Sequence, residues 1–156
     1  MQYICIIFGK RIGSPEMRLT RYTDYAMRVL LYLGARPDDL CSIAEIARAY
    51  GISQNHLMKV VSDLVHEGYL VSVRGRAGGI RLAREASSIN VGQLIRHTED
   101  DFDLVGCADC IIAPACGLTS VLDEALSAFL GVLDRYTLAD VLARKGSFLQ
   151  LLKTTG

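Results

Sequence analysis

The sequence lacks a net charge, a long apolar run and an even number of cysteines. Its 17 basic and 17 acidic residues cancel, so the overall charge indicates no particular partner. The longest uninterrupted apolar run spans residues 3–8, whereas a transmembrane helix needs about 20 apolar residues. Because no positively charged segment precedes this run, we expect neither a signal peptide nor a membrane span.

The cysteine number and the missing motifs narrow the class of protein further. Five cysteines in a chain without a secretion signal argue against a disulfide framework and for a reducing cytoplasm. The glycine-rich segment at 74–79 has the spacing of neither a P-loop nor a dinucleotide fingerprint. Because no nucleophile and base stand together in a substrate motif, we do not expect an enzyme.

Charge is distributed unevenly along the chain. Residues 17–97 contain 11 Lys and Arg against 7 Asp and Glu, whereas residues 98–156 contain 4 against 9. A basic first part and an acidic second part favour a DNA-binding domain followed by a separate sensing or dimerisation region.

A helix-turn-helix is predicted in the first half of the chain. Apolar residues recur at helical spacing over residues 21–35, and Ser42 with Glu45 has the form of a capping box at the start of a second helix. Gly51 permits a tight turn before a third helix, which Ser53 can cap. An ordinary solvated helix face is one interpretation of the polar residues that open this helix. We favour the interpretation that these polar residues read base edges in the major groove of DNA. The residues are Ser53, Gln54, Asn55, His56 and Lys59.

A β wing is predicted next. Residues 69–73 and 80–82 have the composition and alternation of strands, and a glycine-rich tip separates them. Arg74 and Arg76 lie in this tip, where glycine lets the backbone approach DNA closely. We predict that both arginines contact phosphates or enter a narrow minor groove.

A compact cysteine loop follows the wing. Cys107, Cys110 and Cys116 place three thiols within ten residues, which predicts a metal centre with a fourth ligand from elsewhere. An iron–sulfur cluster is favoured over zinc, because structural zinc normally takes four strong protein ligands. A redox thiol pair, or a group of buried cysteines, is the alternative without metal.

The longest helical pattern comes after the cysteines. Apolar residues recur at helical spacing from Leu118 to Tyr136 and form a wide stripe. A bundle core is one interpretation, but a small winged domain offers too little surface to cover this stripe, so we favour an interface between protomers. Thr137 is predicted to cap a last short helix that extends through Leu142.

These patterns predict a mainly α protein with a small β wing. Residues 17–99 form a winged helix-turn-helix DNA-binding domain and residues 100–117 a cluster-binding loop. Residues 118–156 form a long dimerisation helix and a C-terminal segment. Residues 1–16 are interpreted as an N-terminal extension without an assigned role, because the chain has the form of a new start at Met17.

With these elements in this order, the chain resembles the Rrf-two family of winged-helix repressors over nearly everything from Met17 onward. The resemblance rests on seven motifs: Met17-Arg18-Leu19-Thr20, Thr23-Asp24-Tyr25, Asn55-His56-Leu57-Met58-Lys59, Val73-Arg74-Gly75-Arg76, Gly78-Gly79-Ile80-Arg81-Leu82, Ala113-Pro114-Ala115-Cys116 and Tyr136-Thr137-Leu138-Ala139-Asp140. Within the family the chain is most similar to the members that sense nitric oxide. Iron-responsive members are the alternative, with similarity at residues 45–51 and 98–100.

The resemblance implies a homodimer that binds double-stranded operator DNA. It implies an iron–sulfur cluster on Cys107, Cys110 and Cys116, 4Fe-4S in preference to 2Fe-2S, with Asp24 of the opposite subunit as the fourth ligand and nitric oxide as the signal. Loss of Asp24 from the cluster would then change the spacing of the two DNA-binding domains and weaken operator binding. From the residues alone, Asp24 is equally interpreted as a carboxylate at a helix start, stabilised by the helix dipole.

Overall fold

A computed structural model of the chain describes residues 18–75, 77–102, 104–107, 110–112 and 115–143. The helices and strands follow in the order α1 (Arg21–Gly34), α2 (Ile43–Tyr50), α3 (Gln54–His66), β1 (Leu70–Val73), β2 (Gly79–Leu82), α4 (Val91–Thr98), α5 (Leu118–Leu133) and α6 (Leu138–Ala143). A mainly helical chain with one small antiparallel sheet confirms the predicted fold class. The predicted extension at 1–16 lies outside the described residues, as does Arg76.

The core lies where α1, α2 and α3 meet. Each of these helices turns one apolar stripe inward, and Leu30, Ile46, Leu57 and Leu64 are fully buried there. Leu138 of α6 joins the same core, so the chain after α5 returns to α1. Burying a leucine or isoleucine side chain contributes about 1.5 to 3 kcal/mol, and this shared stripe therefore holds the three helices in one fixed arrangement.

The start of α2 and the turn between α2 and α3 form as predicted, but two predictions about their caps, for Glu45 and for Ser53, are wrong. Gly51 adopts a left-handed conformation, φ 63°, which a glycine takes without steric cost. The Ser42 hydroxyl accepts the N–H of Glu45 at 3.1 Å. The carboxylate of Glu45, predicted to reach back in a capping box, instead accepts the hydroxyl of Tyr32 at 2.6 Å. Ser53 makes no side-chain cap, and its carbonyl accepts the N–H of residue 57 at 3.1 Å.

The wing is a short antiparallel pair. Leu70 lies opposite Leu82, and Val73 lies opposite Gly79. Cys41 extends the pairing, because its carbonyl accepts the N–H of Ile80 at 2.9 Å. The wing is thereby attached to the segment between α1 and α2.

Helix α5 differs from the others in burying no residue. It ends at Leu133, one turn before the predicted Tyr136, and packs against α4. Leu118, Val121, Phe129 and Val132 are 43 to 60% exposed along one side. In the part of the chain that the structure describes, no helix combines the length and the apolar character needed to cross a bilayer.

Candidate nucleic-acid interface and metal centre

The first turns of α3 present the predicted base-reading side chains to solvent. Leu57, Val60 and Leu64 anchor the helix from its inner face. On the outer face the residues predicted to contact DNA are all exposed, namely Ser53, Gln54, Asn55, His56 and Lys59. The structure therefore brings these five together on one open surface.

His56 has a packing partner that the sequence did not indicate. Its ring stacks on that of Tyr25 in α1, with centroids 6.4 Å apart and planes inclined by 24°. Stacked rings restrict side-chain rotation. Tyr25 thus fixes where the His56 imidazole stands on the exposed face.

The wing tip carries the second predicted contact. Arg74 is exposed, and Gly75 follows it with φ 120°, a conformation that favours glycine. A side chain at Gly78 would overlap the carbonyl of Val73. The glycines therefore allow the tight turn that exposes Arg74.

Tyr22, Asp63 and His97 form a polar cluster where α1, α3 and α4 meet. His97 Nε2 lies 2.8 Å from Asp63 Oδ2, and burial together with the nearby Asp63 carboxylate raises the pKa of the Tyr22 hydroxyl. Burial acts to raise the pKa of Asp63, but the bonds from Tyr22 and His97 outweigh it and hold that pKa below its usual range. Sequence reasoning missed this cluster, because no local spacing marks residues 34 positions apart as partners.

The three loop cysteines are free thiols. Cys107 and Cys116 are half-buried and Cys110 is exposed. The N–H of Cys110 donates to the carbonyl of Cys107 at 3.2 Å, so these two residues share one turn. Cys107 also lines a cavity of about 160 Å³ with Phe102, Leu122 and Leu126. Residues 108–109 and 113–114 of the loop lie outside the described part.

The donor chemistry of the loop fits a soft metal, but the described residues do not by themselves assemble a site. Among the described residues, no three His, Cys, Asp or Glu side chains stand close enough to hold one ion. Three unpaired thiols within one loop suit iron–sulfur clusters or zinc. Further ligands, or a closing movement of the loop, are needed to complete a centre.

Asp24 is engaged within its own chain. Its carboxylate lies 2.9 Å from Arg28 Nε, one helical turn along α1, and its side chain is 46% exposed. The Arg28 guanidinium also lies 5.6 Å from the centre of the Tyr50 ring. Asp24 is therefore accessible to a second molecule while paired with a neighbouring cation.

Comparison with known proteins identifies the family. Residues 19–144 match the Rrf2 family, described as iron-dependent transcriptional regulators. The chain belongs to the Rrf2 family. It is 52% identical over 143 residues to the HTH-type transcriptional regulator NsrR of Bacillus subtilis (strain 168), covering 88% of this chain and 98% of that protein. NsrR of Geobacillus kaustophilus (strain HTA426) is 48% identical over 143 residues, which covers 88% of this chain and 97% of that protein.

Solved structures agree with this assignment. CymR, the global cysteine regulator of Bacillus subtilis, superposes with a TM-score of 0.66 at 26% identity, covering 83% of this chain and 99% of CymR. The IscR of T. potens superposes with a TM-score of 0.69 at 26% identity, covering 88% of this chain and 98% of IscR. This Rrf2 protein is a winged-helix, DNA-binding transcriptional regulator and not an enzyme.

Proposed function

We propose that this Rrf2 regulator is a homodimeric repressor whose operator affinity depends on an iron–sulfur cluster that responds to nitric oxide. The cluster would be 4Fe-4S, held by Cys107, Cys110 and Cys116 with Asp24 of the partner subunit as the fourth ligand. The observation that carries the proposal is the set of three free thiols immediately before a helix that buries nothing. Similarity to NsrR regulators at 46 to 52% identity supports it.

The donor set explains why an external fourth ligand is proposed. Three thiolates leave one position of a four-iron cluster without a cysteine, and a carboxylate on iron is more easily exchanged than a thiolate. When bound, such a cluster supplies an iron site open to a small diatomic molecule. Within this chain, Arg28 holds the Asp24 carboxylate at 2.9 Å and offers it an alternative partner when it is not a ligand.

The exposed side of α5 supports self-association. Leu118, Val121, Phe129 and Val132 follow one another at helical spacing and are left uncovered by the single chain. Exposing such a row of large apolar side chains is unfavourable. A second copy packed along this side would bury the row and would set two DNA-binding domains at a fixed separation, as dimers that read half-sites about one helical turn apart require.

DNA binding would use α3 in the major groove and the wing on the backbone. Gln54, Asn55, His56 and Lys59 are the proposed base-reading residues, with Ser53 at the start of the helix. Arg74 and Arg76 are the proposed wing contacts. Because both copies must bind together for high affinity, a change in the separation of the two domains weakens binding steeply.

An iron-responsive regulator is the second candidate, favoured by the family description as iron-dependent. The two candidates use the same ligands and differ in the signal that removes the cluster. A switch that forms a Cys107–Cys110 disulfide without metal uses the same loop, in which these residues share a turn.

The test is anaerobic purification of the full chain, visible absorption spectroscopy, and operator binding before and after nitric oxide or an iron chelator. We expect a coloured protein that binds operator tightly, and loss of both colour and binding with nitric oxide. Loss of colour and operator binding with the chelator, but not with nitric oxide, would favour the iron-responsive alternative. A colourless protein that retains full operator binding would overturn the cluster proposal.

Matched variants assign the ligands. Cys107→Ala, Cys110→Ala and Cys116→Ala should abolish the visible absorbance. Cys41→Ala, at a buried cysteine outside the loop, should leave it unchanged. Asp24→Ala should change the cluster spectrum and its reaction with nitric oxide, whereas an unaltered spectrum and reaction would remove Asp24 from the ligand set.

A further inference from the structure

Three consecutive residues at the end of α4 each bind a different position in the DNA-binding domain. Two of them bind the start of α1 and one binds the last turn of α3. His97 Nε2 lies 2.8 Å from Asp63 Oδ2, the Thr23 hydroxyl donates to Thr98 Oγ1 at 2.8 Å, and the N–H of Thr20 donates to Glu99 Oε1 at 2.8 Å.

These residues stand between the two proposed functional sites. Glu99 is the last residue before the segment that leads to Cys107. On the other side, Asp63 lies one helical turn after Lys59 on α3. The chain that enters the cysteine loop therefore leaves from the end of α4, and that end directly contacts α3, the helix that presents the base-reading side chains.

We propose that His97 is a positioning residue through which the state of the cysteine loop sets the DNA affinity of α3. This inference rests on the proposed function. With the cluster bound, the loop holds the last turn of α4 where His97 binds Asp63. When the loop rearranges, this contact is lost and α3 is free to shift relative to α1 and α4.

The charge on Asp63 gives the contact a second effect. Asp63 and Lys59 are four residues apart on one helix, the spacing at which opposite charges pair. While His97 binds the Asp63 carboxylate at 2.8 Å, it is held toward α4. Once released, the carboxylate would compete with DNA phosphates for Lys59 and would repel the phosphates themselves.

The geometry distinguishes His97 from a histidine nearby. The His97 side chain is 27% exposed and close to Asp63, whereas that of His66 is 84% exposed and lies 3.9 Å from Glu67. His66→Ala is therefore a matched control. His97→Gln is the conservative replacement, because the amide nitrogen of Gln occupies the position of the histidine Nε2 and donates the same hydrogen bond.

The experiment measures the operator Kd of the anaerobic holo-protein and that of the cluster-free full chain. The quantity compared between variants is the ratio of the cluster-free Kd to the holo-protein Kd. His97→Ala should weaken holo-protein binding at least tenfold and bring the ratio close to one, with the visible spectrum and the nitric oxide reaction unchanged. His97→Gln and His66→Ala should keep the wild-type ratio. Asp63→Ala should also bring the ratio close to one, but it should lose less holo-protein affinity than His97→Ala, because it leaves no carboxylate to compete for Lys59. The double variant should match Asp63→Ala.

Each other outcome has a definite meaning. If the ratio of the two operator Kd values in His97→Ala equals that of the wild type, the proposed role of His97 is wrong. The role is also wrong if the affinity losses of His97→Ala and Asp63→Ala multiply in the double variant. Neither result contradicts the proposed function. A ratio of one in the wild-type protein would overturn the proposed function itself, and the coupling with it. If His97→Ala does not fold, His97→Asn, whose amide is too short to reach Asp63, is compared with His97→Gln.

Discussion

Arg96 and Asp134 form a two-point ion pair that attaches α4 to the end of α5. Arg96 Nη1 lies 2.5 Å from Asp134 Oδ1, and Arg96 Nη2 lies 2.8 Å from Asp134 Oδ2. The side chain of Asn90 adds a hydrogen bond to the Asp134 carbonyl at 2.7 Å. Because these contacts are on the outside of the molecule, their contribution is to orient α5 on the DNA-binding domain more than to stabilise the fold.

Gly92 makes this ion pair possible, which gives the first prediction. A Cβ atom at Gly92 would overlap Asp134 Oδ1, so Gly92→Ala should displace the carboxylate and break the pair. Because the pair is exposed, Arg96→Gln should lower the thermal midpoint only slightly. Gly92→Ala should fall below Gly131→Ala, which carries the same gain in helix propensity, by a similar small amount. The double variant of Gly92 and Arg96 should fall no further than Gly92→Ala. Gly131→Ala is the control, because its added Cβ meets no atom within 4 Å. If the losses in thermal midpoint from Gly92→Ala and Arg96→Gln add in the double variant, Gly92→Ala does not act through this ion pair.

The second prediction concerns the uncovered side of α5. Val121 is 60% exposed in the single chain, and burial of this side against a second copy should make a charge there unfavourable. Val121→Glu should convert the dimer to a monomer in analytical ultracentrifugation. Ser127→Glu, on the opposite side of the same helix, should remain dimeric. A dimeric Val121→Glu variant would place the interface elsewhere.

The third prediction separates base reading from backbone contact. Asn55→Ala should relax specificity at one operator position by about 1 to 3 kcal/mol, because a base-edge contact is lost. Arg74→Ala should weaken binding to all sequences and reduce the salt slope by about one. Binding to an operator mutation series at several salt concentrations distinguishes the two patterns, and Gln93→Ala, exposed on α4, is the control. A reversed pattern would exchange the two roles.

The fourth prediction concerns thiol reactivity in the cluster-free protein. Cys41 is 2% exposed, and burial together with nearby Glu45 raises the pKa of its thiol to about 11. Only the thiolate reacts, so Cys41 should remain unmodified by iodoacetamide at pH 8 in the folded protein. Cys110, which is exposed, should be modified first. Mass spectrometry of timed digests measures both rates, and rapid modification of Cys41 would show that the wing detaches from the segment between α1 and α2.

Much of the fold was predictable because it depends on local spacing. The helical repeat of apolar residues and the glycine at position 51 predicted α1, α2 and α3, and both are features of neighbouring residues in the chain. The exposure of the polar residues that open α3 was also predictable, because the apolar residues on the other side of the same helix are the ones that favour burial. The ligand roles of the cysteines stay predictions, as does the role of Asp24.

What the sequence by itself determined is therefore which segments form helices and strands, which side of each is apolar, and where three thiols lie close in the chain. Only the tertiary structure decided that His97 pairs with Asp63, that Thr98 pairs with Thr23 and that Arg96 pairs with Asp134, across 34, 75 and 38 residues. Hydrogen-bonding side chains have many possible partners in a sequence. The packing of α4 against α1, α3 and α5 selects among them, because a polar group left half-buried must find its partner within reach.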